Sequence, residues 1–386
     1  MPNDGSQSSL TDLFDPVQLG VCRLANRIVM APLTRCRARA DGTPTALMIE
    51  YYAQRASAGL IIAEGTNISP RARGYALTPG IYTDAHIGGW QRITQAIHAK
   101  GGHAYLQLWH VGRISHPSLQ PDGALPVAPS AIRPQTRAFT ESGFQPCVTP
   151  RALEALEIPE IVQEYHRAAS NALEAGFDGV EIHAANGYLI EQFLRDSTNK
   201  RTDAYGGSRE KRARFALEVV EAVVRACGSQ RVGIRLSPVS PANDSALDSD
   251  SLGTYSYLIQ QLNRFGLAYV HVIEGVTQGL RECPDGFHLQ VLRREFTGLY
   301  IANNGYDLKL AQEARRHNLA DLIAFGRLYI ANADLVERLC ACAPLNVPDP
   351  ATFFGGGAHG YTDYPTMAQS RPGGSAATPQ EQKNAV

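Results

Sequence analysis

Apolar and polar residues follow two different periods along this chain. Short runs rich in β-branched residues alternate with longer stretches that place apolar residues three and four apart. The short runs are 27–35 (RIVMAPLTR), 60–69 (LIIAEGTNIS), 103–112 (HAYLQLWHVG), 179–185 (GVEIHAA), 231–238 (RVGIRLSP), 269–275 (YVHVIEG), 299–306 (LYIANNGY) and 321–327 (DLIAFGR). Eight strands alternating with helices predict repeated βα units, and eight such units close into an α/β fold, a single (β/α)8 TIM barrel. The helix signals agree: Pro44 opens a helix that ends at Gly59, and Pro159 opens another that ends at Gly176. Two insertions break the rhythm. Residues 113–158, rich in Pro, Ser and Gly, are too long for a strand–helix connection and read as a cover over the barrel mouth after the third strand. Residues 237–251, after the fifth strand, read either as a second lid or as a plain surface excursion. Residues 17–24 read as a small N-terminal hairpin plugging the barrel. Polar ends at 1–11 and 367–386 are expected to be disordered, leaving one domain over 12–366.

Composition narrows the kind of ligand. Lys plus Arg number 36 against 37 Asp plus Glu, without blocks of one sign, so neither a nucleic acid nor a membrane is the expected partner. A small molecule fits better. No apolar run approaches the roughly 18 residues of a membrane span. The first residues also lack the basic-then-apolar pattern of a secretory signal, which makes the cytoplasm the expected location. The seven cysteines have no C-x-x-C spacing and the histidines no metal-binding pattern, so neither a disulfide framework nor a metal site is expected.

Unusual residues gather at the C-terminal ends of the strands, where barrels place their chemistry. Gln107 and Trp109 share one face of the third strand; the glutamine could meet a heterocyclic amide edge or simply bond the neighbouring strand. Arg235 lies within the fifth strand. A guanidinium there needs an anion, either an inward carboxylate such as Glu181 or a cofactor ring that becomes anionic on reduction. Asn304-Gly305 and Gly326-Arg327 end the seventh and eighth strands, where many barrels hold a phosphate. After the fourth strand come His183, Asn186 and Tyr188. The first two can donate to one carbonyl oxygen, and a phenol with an ordinary pKa near 10 can deliver a proton. Schiff-base chemistry is excluded, because every lysine lies in a helical, loop or tail segment.

Four longer stretches carry a more specific likeness: APLTR at 31–35, QLWHVGR at 107–113, HAANGYLIEQFL with NKRTDAYGGS within 183–208, and TFFGGGAHGYTDYP at 352–365. Over residues 13–364 the chain resembles the old yellow enzyme family of FMN-dependent ene-reductases. The resemblance implies that Pro32, Leu33 and Thr34 lie along the flavin and that Gly65 and Gln107 bind its pyrimidine edge. It also sets Arg235 beside N1 and O2, with Asn304, Gly305, Gly326 and Arg327 around the phosphate. His183 and Asn186 would clamp a substrate carbonyl, Tyr188 would protonate the α-carbon, and Tyr75, Trp109 and Phe354 would shape the pocket. The family commonly carries tyrosine where this chain has Phe354, a departure that touches substrate orientation rather than the core chemistry. The implied activity is ping-pong: NADPH or NADH gives hydride to flavin N5, which passes it to the activated C=C bond of an α,β-unsaturated carbonyl compound. A monomer or a homodimer is expected. Competing readings are a non-catalytic FMN-binding barrel, against which His183, Asn186 and Tyr188 count together, and an FMN hydroxy-acid oxidase, whose flavin a hydroxy acid would reduce.

Overall fold

The computed structural model describes residues 13–277, 279–284 and 286–370. The expectation for 1–11, and that for the tail from 371 on, lie outside those residues. Each predicted run contains one barrel strand: β1 (Ile28–Met30), β2 (Leu60–Asn67), β3 (Ala104–Trp109), β4 (Gly179–Ala184), β5 (Val232–Leu236), β6 (Tyr269–Ile273), β7 (Leu299–Asn303) and β8 (Leu322–Phe325). They pair in parallel, each with its neighbours in sequence, and close through β8 against β1. In every case the strand stops before the predicted run does, and the leftover residues lead into the loops, or after β8 into a short helix, at the barrel's C-terminal face.

Two apolar layers hold the barrel. Inward residues such as Val29, Leu60, Ile62, Tyr105, Tyr269, Ile301 and Leu322 fill the interior. Outward residues such as Leu106, Ile182, Ile234 and Val270 pack against helices that include Ile158–Glu174 and Arg209–Cys227. Each fully buried aliphatic side chain contributes about 1.5–3 kcal/mol. The expected plug is present as an antiparallel hairpin, Val17–Leu19 with Cys22–Leu24, whose Leu19, Cys22 and Leu24 join the interior layer. Its turn requires Gly20, because at φ 51° a Cβ would lie 1.8 Å from the Gln230 carbonyl oxygen.

The long insertion after β3 folds into a two-stranded hairpin, Arg137–Thr140 with Gly143–Pro146. Ala138 packs in one cluster with Trp109 and Tyr188, so this segment does cover the barrel mouth. Among the described residues, no helix is long and apolar enough to cross a membrane.

Candidate active site

His183 stands near the end of β4, level with Arg235 on β5 and His271 on β6. Its Nδ1 accepts the amide proton of Ala185 at 3.3 Å, which leaves the ring proton on Nε2 as a donor. Burial first, then the neighbours Arg235 and His271, push its pKa well below the usual histidine value. The imidazole is therefore a neutral donor.

Asn186 follows in a left-handed conformation, φ 57°, that few residues tolerate. Its backbone is fixed by Ser237 Oγ, which accepts the Asn186 amide proton at 2.8 Å, and by Asn243 Nδ2, which donates to the Asn186 carbonyl at 2.9 Å. The side chain is oriented by Thr277, whose hydroxyl donates to Oδ1 at 2.8 Å. With its oxygen taken, Asn186 offers Nδ2 as a donor. The excursion at 237–251 thus supplies residues that hold the Asn186 turn.

Glu191, fully buried, anchors the same turn from behind. It accepts from Gly187 N (2.5 Å), Ser237 Oγ (2.6 Å), Tyr255 OH (2.6 Å) and Arg195 NH2 (2.9 Å). Glu191→Ala leaves the buried Arg195 guanidinium without its carboxylate. It is expected to destabilise the fold by about 3–5 kcal/mol, read by urea unfolding.

Tyr188 shares a hydrogen bond with Tyr75, hydroxyl to hydroxyl, at 3.2 Å. Burial raises its pKa, so the phenol keeps its proton at neutral pH. Aromatic rings fix it in place: Tyr188 meets both Trp109 and His183 edge-on at 5.0 Å, and Tyr75 stacks on Trp109 at 5.5 Å. Gly65 lies at an irregularity in the β2–β3 pairing, where a Cβ would come within 2.8 Å of the Trp109 ring. Phe354 is 43% exposed and packs against Phe139 and Phe144 of the lid hairpin at ring distances of 6.1 and 6.2 Å.

On the inner wall lie the two residues whose partners the sequence left open. Gln107 does bond the neighbouring strand: its Nε2 donates to Glu181 Oε1 at 2.7 Å. Arg235, by contrast, makes no ion pair with Glu181, which takes its other donors from Tyr269 and His271. Arg235 donates from NH2 to Asn303 Oδ1 at 2.8 Å, and its buried Nε has no partner among the described residues. Burial lowers its pKa. Buried polar atoms are almost always bonded, so this orphan, with His271 Nε2 and Trp109 Nε1 nearby on the wall, marks a surface built for a polar ligand.

Pro32, Leu33 and Thr34, directly after β1, are only partly buried, as an apolar shelf for a flat ring would be. At the strand ends beyond, Gly305 (φ 66°) has room for an approaching group, and Gly326 precedes an exposed Arg327 that makes no hydrogen bond among the described residues. The Asn304 side chain is already engaged, donating to the carbonyls of Glu274 and Val276 at 2.7 and 3.0 Å.

Partnerless polar atoms on the inner wall, with open glycines at the next two strand ends, suit a phosphorylated isoalloxazine; fold and site define a flavin-dependent oxidoreductase. The sequence model of the NADH:flavin oxidoreductase / NADH oxidase family matches residues 12–346. The 12-oxophytodienoate reductase 1 of Oryza sativa subsp. japonica is 46% identical over 365 residues, covering 92% of this chain and 93% of that protein. A probable flavin mononucleotide-dependent alkene reductase of Leishmania infantum is 42% identical over 367 residues, covering 94% and 99%. The solved structure of morphinone reductase in complex with tetrahydroNAD is 52% identical with a TM-score of 0.87, covering 92% of this chain and 97% of that one. The chain belongs to the NADH:flavin oxidoreductase / NADH oxidase family, the old yellow enzymes, and is an FMN-dependent ene-reductase driven by a reduced nicotinamide.

Arg235 gives the flavin assignment its own test. Arg235→Ala is expected to weaken FMN binding roughly 10- to 100-fold or to lower the potential of the bound flavin, since one charge-assisted contact is lost. Unchanged FMN and redox titrations would return the residue to a structural role.

Proposed function

We propose that the enzyme reduces the C=C bond of small α,β-unsaturated carbonyl compounds, with His183 and Asn186 holding the carbonyl and Tyr188 supplying the proton. The observation that carries this reading is the donor set after β4: a neutral imidazole with its proton on Nε2, an amide turned so that Nδ2 is free, and a protonated phenol. FMN, which Pro32, Leu33, Thr34, Gly65, Gln107, Arg235, Asn304, Gly305, Gly326 and Arg327 would hold, would supply the redox chemistry that side chains lack, with NADPH or NADH as the source of reducing equivalents.

The protein's own part is electrostatic and geometric. As the β-carbon gains hydride, negative charge develops on the carbonyl oxygen, and two preorganised neutral donors stabilise it, each by about 3 kcal/mol. Trp109 and Tyr75 wall the pocket, and the lid hairpin with Phe354 closes its rim. Phe354 brings a ring face without a hydroxyl, so the rim favours apolar substituents on the enone. The free thiols, four of them buried, suit a reducing compartment such as the cytoplasm. The test is direct. Anaerobic NADPH is expected to bleach the yellow holoenzyme and 2-cyclohexenone to restore the colour; bleaching without restoration would remove enones from consideration.

A further inference from the structure

Reading along the chain gives no metal pattern, but the fold joins residues that sequence spacing keeps apart. His103 immediately precedes β3, Asp178 immediately precedes β4, and Cys22 belongs to the plugging hairpin, so all three meet at the N-terminal face, opposite the flavin end. The thiol, an imidazole nitrogen and a carboxylate oxygen lie within 4.8 Å of one another. We propose that Cys22, His103 and Asp178 form a binding site for a divalent transition metal of zinc's kind.

The ligand chemistry fits, as does the spacing of imidazole and carboxylate. A thiolate, a neutral imidazole and a carboxylate are the mixed S, N, O set that zinc takes. Tetrahedral bonds of ~2.0–2.3 Å put neighbouring ligand atoms roughly 3.3–3.6 Å apart. His103 Nδ1 is 3.6 Å from Asp178 Oδ2, within ion-pair reach but longer than a hydrogen bond, and this buried nitrogen makes no hydrogen bond among the described residues. Cys22 is 4% exposed. On binding, two protons pass to solvent, one from the thiol and one from the imidazole, whose protonated form Asp178 and Cys22 favour; thiolate and carboxylate then neutralise the dication, so the filled site carries no net charge into a partly buried place. Asp178 is held ready from outside, its Oδ2 accepting from Ala104 N at 2.9 Å and lying 3.0 Å from His98 Nε2, as the supports of metal-bound carboxylates do. His98 and His103 are 39% and 29% exposed, which leaves a solvent path and room for water as fourth ligand. A metal here would tie the hairpin to two strands and leave the flavin end untouched.

The experiment uses the full FMN-loaded chain carrying Cys340→Ser and Cys342→Ser, which removes the exposed thiols. Equilibrium dialysis against Zn2+ is expected to give one zinc per chain, with a rise in Tm. Cys22→Ser and His103→Gln in that background are expected to abolish it while keeping flavin absorbance and 2-cyclohexenone turnover. No stoichiometric zinc in the parent, or equal zinc in the variants, would overturn the site. If the variants fail to hold FMN, X-ray absorption of the zinc-loaded parent decides: a single sulfur with nitrogen and oxygen neighbours supports the site, and no sulfur or several overturns it.

Discussion

The double variant His183→Ala/Asn186→Ala is expected to lose roughly 10³- to 10⁴-fold in kcat/KM for 2-cyclohexenone while retaining FMN. Each donor stabilises the developing oxyanion by about 3 kcal/mol. Because both serve one oxygen, their losses fall short of additive, which sets the upper bound below the product of the single effects. FMN should stay bound, since the residues assigned to it come from β1, β2, β3, β5, β7 and β8 and the loops after them, not from the turn after β4. The same assignment fixes a pH dependence. Acid would have to protonate His183, but burial, Arg235 and His271 all oppose the charged form, so its titration lies below the usual histidine range. Lowering the pH from about 8 to about 5 should therefore show no histidine-type fall in enone reduction traceable to this residue. Steady-state kinetics of both variants and a pH profile of the wild type check this; an unimpaired double variant refutes the assignment.

The barrel itself was legible because β-branched runs and helical periods report local packing, and each run held one strand. The ends were not. Runs such as 299–306 overshoot because the chain leaves the sheet at Asn303, where hydrogen bonding to β6 and β8 stops, while Tyr306 stays buried and so still reads as strand. At the site, His183, Asn186 and Tyr188 are recognisable from type and placement alone. What holds them is not. Thr277 orients Asn186 from 91 positions away, Asn243 from 57, and Ser237 reaches Glu191 across 46. No periodicity records a contact between loops of different βα units. His271 could have been found, since it falls on the inward face of its strand at the level of Arg235, the position that flagged the arginine. The ion pair between Arg235 and Glu181 looked reasonable on facing alone, yet Gln107, Tyr269 and His271 already satisfy that carboxylate.

Tyr188→Phe is expected to slow enone reduction by roughly 10²- to 10³-fold and to leave bleaching by NADPH at the wild-type rate. The ring keeps its two edge-on contacts with Trp109 and His183, so the pocket wall survives and only the proton source is lost. Tyr75 is the natural substitute, since its hydroxyl lies 3.2 Å from that of Tyr188. It stands one hydrogen bond further back, with its own pKa raised well above the ordinary phenol value by burial, and a proton routed from it would need the missing hydroxyl as a bridge. Tyr75→Phe should accordingly cost little, because Tyr188 retains the proton that reaches the α-carbon. Stopped-flow measurement of reoxidation by 2-cyclohexenone separates the two: a slow Tyr188→Phe beside a near-normal Tyr75→Phe assigns the acid, whereas equal rates in both would move protonation to water entering past the lid.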